Sequence, residues 1–123
     1  MKFKHIVVED NVFRSIVHVF VNCPLSKLIK WADKTHDIVV EQEPGADGVF
    51  VKLISKTGAS VYCIWIEEFE WRVSQQGFFA HELIHCTKTI LDDCGIPINT
   101  STEEVLAYYY SYLFQEIYKK LGS

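Results

Sequence analysis

His81, Glu82 and His85 are the residues whose types and spacing can do chemistry together. They form the pattern His-Glu-x-x-His. Residues four apart on a helix lie on the same face, one turn from each other. His81 and His85 can therefore aim two imidazole nitrogens at one zinc ion, at about 2.0–2.1 Å. Glu82 is offset from His81 by about 100° around the helix axis, too far round to complete the same chelate. It is placed to accept the proton of a water that the ion has acidified, the role of a general base in hydrolysis.

A catalytic zinc needs a third protein ligand and one open position. Asp92 and Asp93 sit about 10 Å beyond His85 on the same helix, too far to close the site. Cys86 points about 100° away from His85. The best candidates are Glu103 and Glu104, at the start of the next helix. Thr100 with Glu103 has capping-box spacing, which leaves Glu104 for the metal, and Ser101 with Glu104 has the same spacing and reverses the choice. Both acids also suit a solvated helix N-terminus.

The elements that position these residues can be read along the chain. Phe3–Val8 and Ser15–Val21 are rich in β-branched residues and read as strands. Pro24 suits a first helical turn, and Leu25, Leu28, Ile29 and Ala32 recur at helical spacing, so a helix is expected over Leu25–Thr35. Asp37–Gln42 and Gly48–Ile54 read as a hairpin around a Pro-Gly turn. Ala59–Phe69 reads as a long last strand. A helix is expected over Gln75–Asp93, stopped by Gly95 and Pro97. A second runs from near Ser101 to about Leu121, with Thr100 or Ser101 as its cap. Strands followed by helices predict an α+β fold, with the helices on one face of a small, mostly antiparallel sheet.

Bulk properties bound the rest. The 123 residues suffice for one domain, residues 1–123, with one hydrophobic core. Apolar residues make up 49% and charged residues 23%, the balance of a globular protein. A net charge of −4 offers no footprint for nucleic acid or an acidic membrane surface. The start of the chain meets acid before any long apolar stretch and does not read as a signal peptide, so a cytoplasmic protein is expected. Cys23, Cys63, Cys86 and Cys94 lack the spacing of a zinc knuckle and read as reduced thiols packed as small apolar residues. His5, His18 and His36 have no ligand-spaced partner, and His18 reads as a hydrogen-bonded core residue. Trp65 and Trp71 read as packing residues.

Taken with the 18 residues that separate His85 from Glu104, the motif resembles that of gluzincin metallopeptidases, and its spacing that of the zinc aminopeptidase branch. The stretch Glu104-Val105-Leu106-Ala107-Tyr108 also resembles the glutamate helix of small zincin-like proteins, among them phage-encoded ones and ImmA/IrrE-type peptidases. The resemblance covers roughly residues 60–121. It implies a minimal zincin-like domain with Zn2+ held by His81, His85 and Glu104, and Glu82 as general base. The implied activity is hydrolysis of a peptide or protein substrate. It also implies that the strand Val61–Glu68 is an edge strand along which an extended peptide can lie. Metzincins continue with a glycine and a third histidine, where this chain has Lys88 and Leu91. Many gluzincins place an aspartate four residues after the ligand glutamate, where this chain has Tyr108.

Tyr108, Tyr109, Tyr110 and Tyr112 crowd the last helix and read first as aromatic packing. Tyr108, on the Glu104 face, is the one suited to stabilise the oxyanion formed when water attacks an amide. A second function is compatible with the same residues: a zincin-fold binding or assembly factor with a structural or vestigial zinc site.

Overall fold

Residues 2–35, 47–54, 58–70 and 73–122 are described by a computed structural model. The element order is β1 (Lys4–Glu9), β2 (Ile16–Val21), α1 (Leu25–Thr35), β3 (Gly48–Ile54), β4 (Ser60–Ile66), α2 (Val73–Asp93) and α3 (Glu103–Leu121). The α+β class expected from the sequence is therefore observed. The Asp37–Gln42 strand, His36 and Trp71 lie outside the described residues.

The four strands form one mixed sheet in the order β1-β2-β4-β3. β1 and β2 are antiparallel, β2 and β4 parallel, and β3 and β4 antiparallel. β4 is thus an interior strand, and β1 and β3 are the edges among the described residues, which corrects the expectation of an edge strand over Val61–Glu68. The composition of β4 accounts for the difference. Val61, Tyr62, Cys63, Ile64, Trp65 and Ile66 are all buried. A strand covered on both faces reads as a continuous apolar run, whereas one with an open face alternates.

Both faces of the sheet are covered, so the helices do not share one face as the sequence suggested. On one side, Val8, Val17, Val19, Ile64 and Ile66 pack against Phe79, Leu83 and Ile90 of α2 and against Leu113 and Ile117 of α3. On the other, Phe20, Val51, Leu53, Cys63 and Trp65 pack against Leu28 and Ala32 of α1. Trp65 donates its indole N–H to the Cys23 carbonyl at 2.8 Å, which satisfies its polar atom inside that second core.

The β1–β2 connection is held by Asp10, which is 3% exposed. Its carboxylate accepts the backbone N–H groups of Val12, Phe13, Arg14 and Ser15. Arg14 takes a positive φ of 57° in this turn. The Tyr109 hydroxyl also donates to Asp10, so the turn is tied to α3. At the far end of α2, Asp93 accepts from the Tyr62 hydroxyl and the Lys52 ammonium, anchoring the helix to β4 and β3. No described helix is long and apolar enough to cross a membrane.

Candidate metal centre

α2 is amphipathic, and its buried stripe decides where the motif points. Phe79, Leu83, Cys86, Thr87, Ile90 and Leu91 face the core. His81 and His85 fall between those positions and are exposed, while Glu82 is half-buried beside Leu83. The His81 side chain is 67% exposed and that of Glu82 is 13%.

The two imidazoles converge. His81 Nε2 and His85 Nε2 stand 3.2 Å apart. Two nitrogens bound at 2.0–2.1 Å and subtending a tetrahedral angle are separated by about 3.3 Å. The observed spacing is within hydrogen-bonding reach and also close to that of two nitrogens on one tetrahedral ion. Glu82 Oε1 lies 3.9 Å from His81 Nε2.

A cavity of about 280 Å³ opens in front of these groups, between His81, Glu82, His85 and Thr89 of α2 and residues 48–50 of the edge strand β3. Gly48 lets the strand come close. A Cβ at that position would stand 2.8 Å from Ile66 Cδ1, 3.1 Å from the Trp65 carbonyl oxygen and 3.5 Å from Glu82 Cγ.

Glu104 is not brought to the pair. Among the described residues, no three His, Cys, Asp or Glu side chains are grouped to hold one ion. Glu103 and Glu104 are exposed in the first turn of α3. The reason lies in the docking of the two helices. The Phe79 ring stacks on Phe114 at 5.4 Å. The capping boxes considered from the sequence do not form either. Thr102 occupies the N-cap of α3 with no side-chain capping bond. Its hydroxyl donates to the Pro97 carbonyl instead.

Tyr108 is 74% exposed and lines a different cavity of about 380 Å³, with Val12, Phe13, Val105, Tyr109 and Tyr112. The structure does not bring it into the His81–His85 cavity. Tyr109 is the buried tyrosine of the cluster. Burial, followed by its hydrogen bond to the Asp10 carboxylate, pushes its phenol above the ordinary range.

No partner for His5 or His18 was legible in their spacing, yet the fold pairs them. The β1–β2 register sets His5 opposite Phe20 and His18 opposite Val7. The two histidines are then diagonal neighbours on one face. His5 Nε2 and His18 Nδ1 stand 2.8 Å apart. The available signal was the pairing of two adjacent strands across a short turn. All four cysteines are free thiols, and Cys94 is exposed where packing was expected.

No protein-family model matches this chain, and no curated protein or solved structure matches it.

Proposed function

We propose that this chain is a zinc-dependent hydrolase of peptide bonds. The observation that carries the reading is the 3.2 Å convergence of the His81 and His85 nitrogens beside a half-buried glutamate. The donor set suits zinc, since neutral imidazoles are among its commonest ligands. A zinc ion would acidify a water and polarise the scissile carbonyl. Glu82 would accept a proton from the attacking water and pass it to the leaving amine. Its low exposure keeps the carboxylate against the cavity that it lines. An extended peptide would lie along β3, an edge of the sheet among the described residues, by adding a strand to it.

The described residues supply two of the three protein ligands that a catalytic zinc uses. In this reading Glu104 closes the site only when the start of α3 moves toward α2. The experiment is Glu82→Gln in protein purified without a metal-affinity tag. Zinc content is expected to stay near one equivalent while cleavage of a peptide library is lost. Full cleavage by that variant would refute the mechanism.

The separation of Glu104 from the pair also favours a second reading, a binding or assembly factor that holds zinc without turnover. A stoichiometric partner together with no cleavage of any peptide would decide for it.

A further inference from the structure

We propose that two copies of this chain pair along β1 as a two-fold dimer, continuing the sheet across the contact. The surface involves neither the His81–His85 centre nor β3, and it does not rest on the function proposed above.

β1 is an edge of the sheet, with no strand on its outer side among the described residues. The hydrogen bonds fix which of its backbone groups face outward. The Asp10 N–H bonds the Ser15 carbonyl, and that pair continues the β1–β2 register. Bonded and non-bonded pairs alternate along an antiparallel ladder. Lys4, Ile6 and Val8 therefore bond β2, and His5, Val7 and Glu9 turn their N–H and C=O groups to the open side. The far side of β2 agrees, since the Asn22 N–H reaches the Ile66 carbonyl of β4 from the alternate set of residues.

A row of outward backbone groups is a template for another strand. An antiparallel second copy must set outward residues against outward residues, so Val7 can face Val7, His5 or Glu9 of that copy. Facing Val7, it also sets Ile6 against Val8 and His5 against Glu9, each twice by symmetry. Facing His5 sets Lys4 against Val8, and facing Glu9 sets Ile6 against Asp10. Of the three registers, the first alone matches apolar with apolar and base with acid. His5 and Glu9 are both exposed and can meet their counterparts. His5 faces His18 through Nε2, and its Nδ1 remains to bond the carboxylate. The ends of the edge add apolar surface, with Phe3 38% and Val12 59% exposed. Antiparallel pairing brings the Phe3 end of one copy to the Val12 end of the other.

The test is sedimentation equilibrium on the full chain in a chelator, which removes any association bridged by a metal. A monomer–dimer equilibrium is expected in the micromolar range. Val7→Pro removes an outward N–H without breaking a bond to β2, a change that an edge strand tolerates. It is expected to leave a monomer with unchanged far-ultraviolet dichroism. Glu9→Lys sets a cation against His5 and should weaken the dimer by about tenfold or more. His5→Glu combined with Glu9→Lys exchanges the two charges and should recover most of that loss. A parent chain that stays monomeric at millimolar concentration would overturn the proposal. So would a folded Glu9→Lys chain that dimerises as tightly as the parent, or a charge-exchanged chain that dimerises no better than Glu9→Lys.

Discussion

Glu82 and Gly48 of β3 line the same cavity. A Cβ added to Gly48 would lie 3.5 Å from Glu82 Cγ, within van der Waals contact. The same Cβ would lie 2.8 Å from Ile66 Cδ1 and 3.1 Å from the Trp65 carbonyl oxygen. Ile66 ends in a flexible methyl that can give way, but the carbonyl belongs to the β4 backbone and cannot. Gly48→Ala is therefore expected to destabilise the fold by about 1–3 kcal/mol, the range for over-packing. Gly48→Val should cost more. Urea denaturation measures the loss, and a neutral Gly48→Val variant would contradict the close approach of β3 to β4 and α2.

The chelating geometry of His81 and His85 predicts a paired dependence. Either His81→Ala or His85→Ala should reduce zinc affinity by more than tenfold, and the double variant should add little to the single losses. Residues that act as one unit are not additive. Equilibrium dialysis against zinc measures this. Glu104→Gln and Glu103→Gln, assayed beside them, identify which acid closes the site: the larger loss of zinc affinity marks the ligand. Equal, small effects would exclude both.

Asp10 and Tyr109 join the β1–β2 turn to α3 through a 2.6 Å hydrogen bond between buried side chains. Tyr109→Phe removes one donor from a carboxylate that keeps its four backbone N–H bonds. The expected loss is about 1.5–3 kcal/mol, the range for a hydrogen bond to a charged group. Asp10→Ala should cost more, because it strips the acceptor from all five donors. Reversal of that order in denaturant unfolding would show that the turn is held by other means.

Phe79 is 1% exposed, stacks on Phe114 of α3 and meets Phe69 edge-to-face. Truncation to alanine should cost about 3–5 kcal/mol through lost burial and the cavity left behind. Because this stacking joins α3 to α2, Phe79→Leu should preserve more stability yet alter the position of Glu104. A zinc affinity that changes more than stability in Phe79→Leu would connect that packing to the metal centre.

The buried thiols and phenols make the fold sensitive to alkali. Burial pushes Cys63 from 9.0 to about 12, and burial likewise raises Cys86, Tyr62 and Tyr109. Each is held neutral in the folded state and ionises more readily when unfolded. Their contribution to stability is complete below pH 9, and for Cys63 it is lost progressively between pH 9 and about 12. Tm should therefore decline as pH rises above 9. At pH 8, an aromatic disulfide reagent should modify Cys94, the exposed thiol, and reach Cys23, Cys63 and Cys86 only in denaturant. Burial and then the neighbouring Asp93 carboxylate raise the Cys94 thiol, so its reaction should be slower than that of a small free thiol. Equal rates for all four cysteines would contradict the packing of the core.

The relation among His81, Glu82 and His85 was legible in the sequence because helix geometry alone sets it: four residues are one turn, and no other part of the chain is needed. The span of α1 was legible for the same reason, from the spacing of Leu25, Leu28, Ile29 and Ala32. The apolar run of β4 carried the signal that both its faces are covered, although only the sheet order showed that β3 is an edge. The placement of Glu104 was not legible. It depends on how α3 docks along α2, through contacts such as Phe79 on Phe114, 35 positions apart in the chain. The His5–His18 pair depends on strand register, and a slip of one residue would put the two rings on opposite faces. Sequence alone thus determined what lies within one helical turn. Tertiary structure decided every relation that crosses between elements, because packing of distant side chains, and not local backbone geometry, sets the distance.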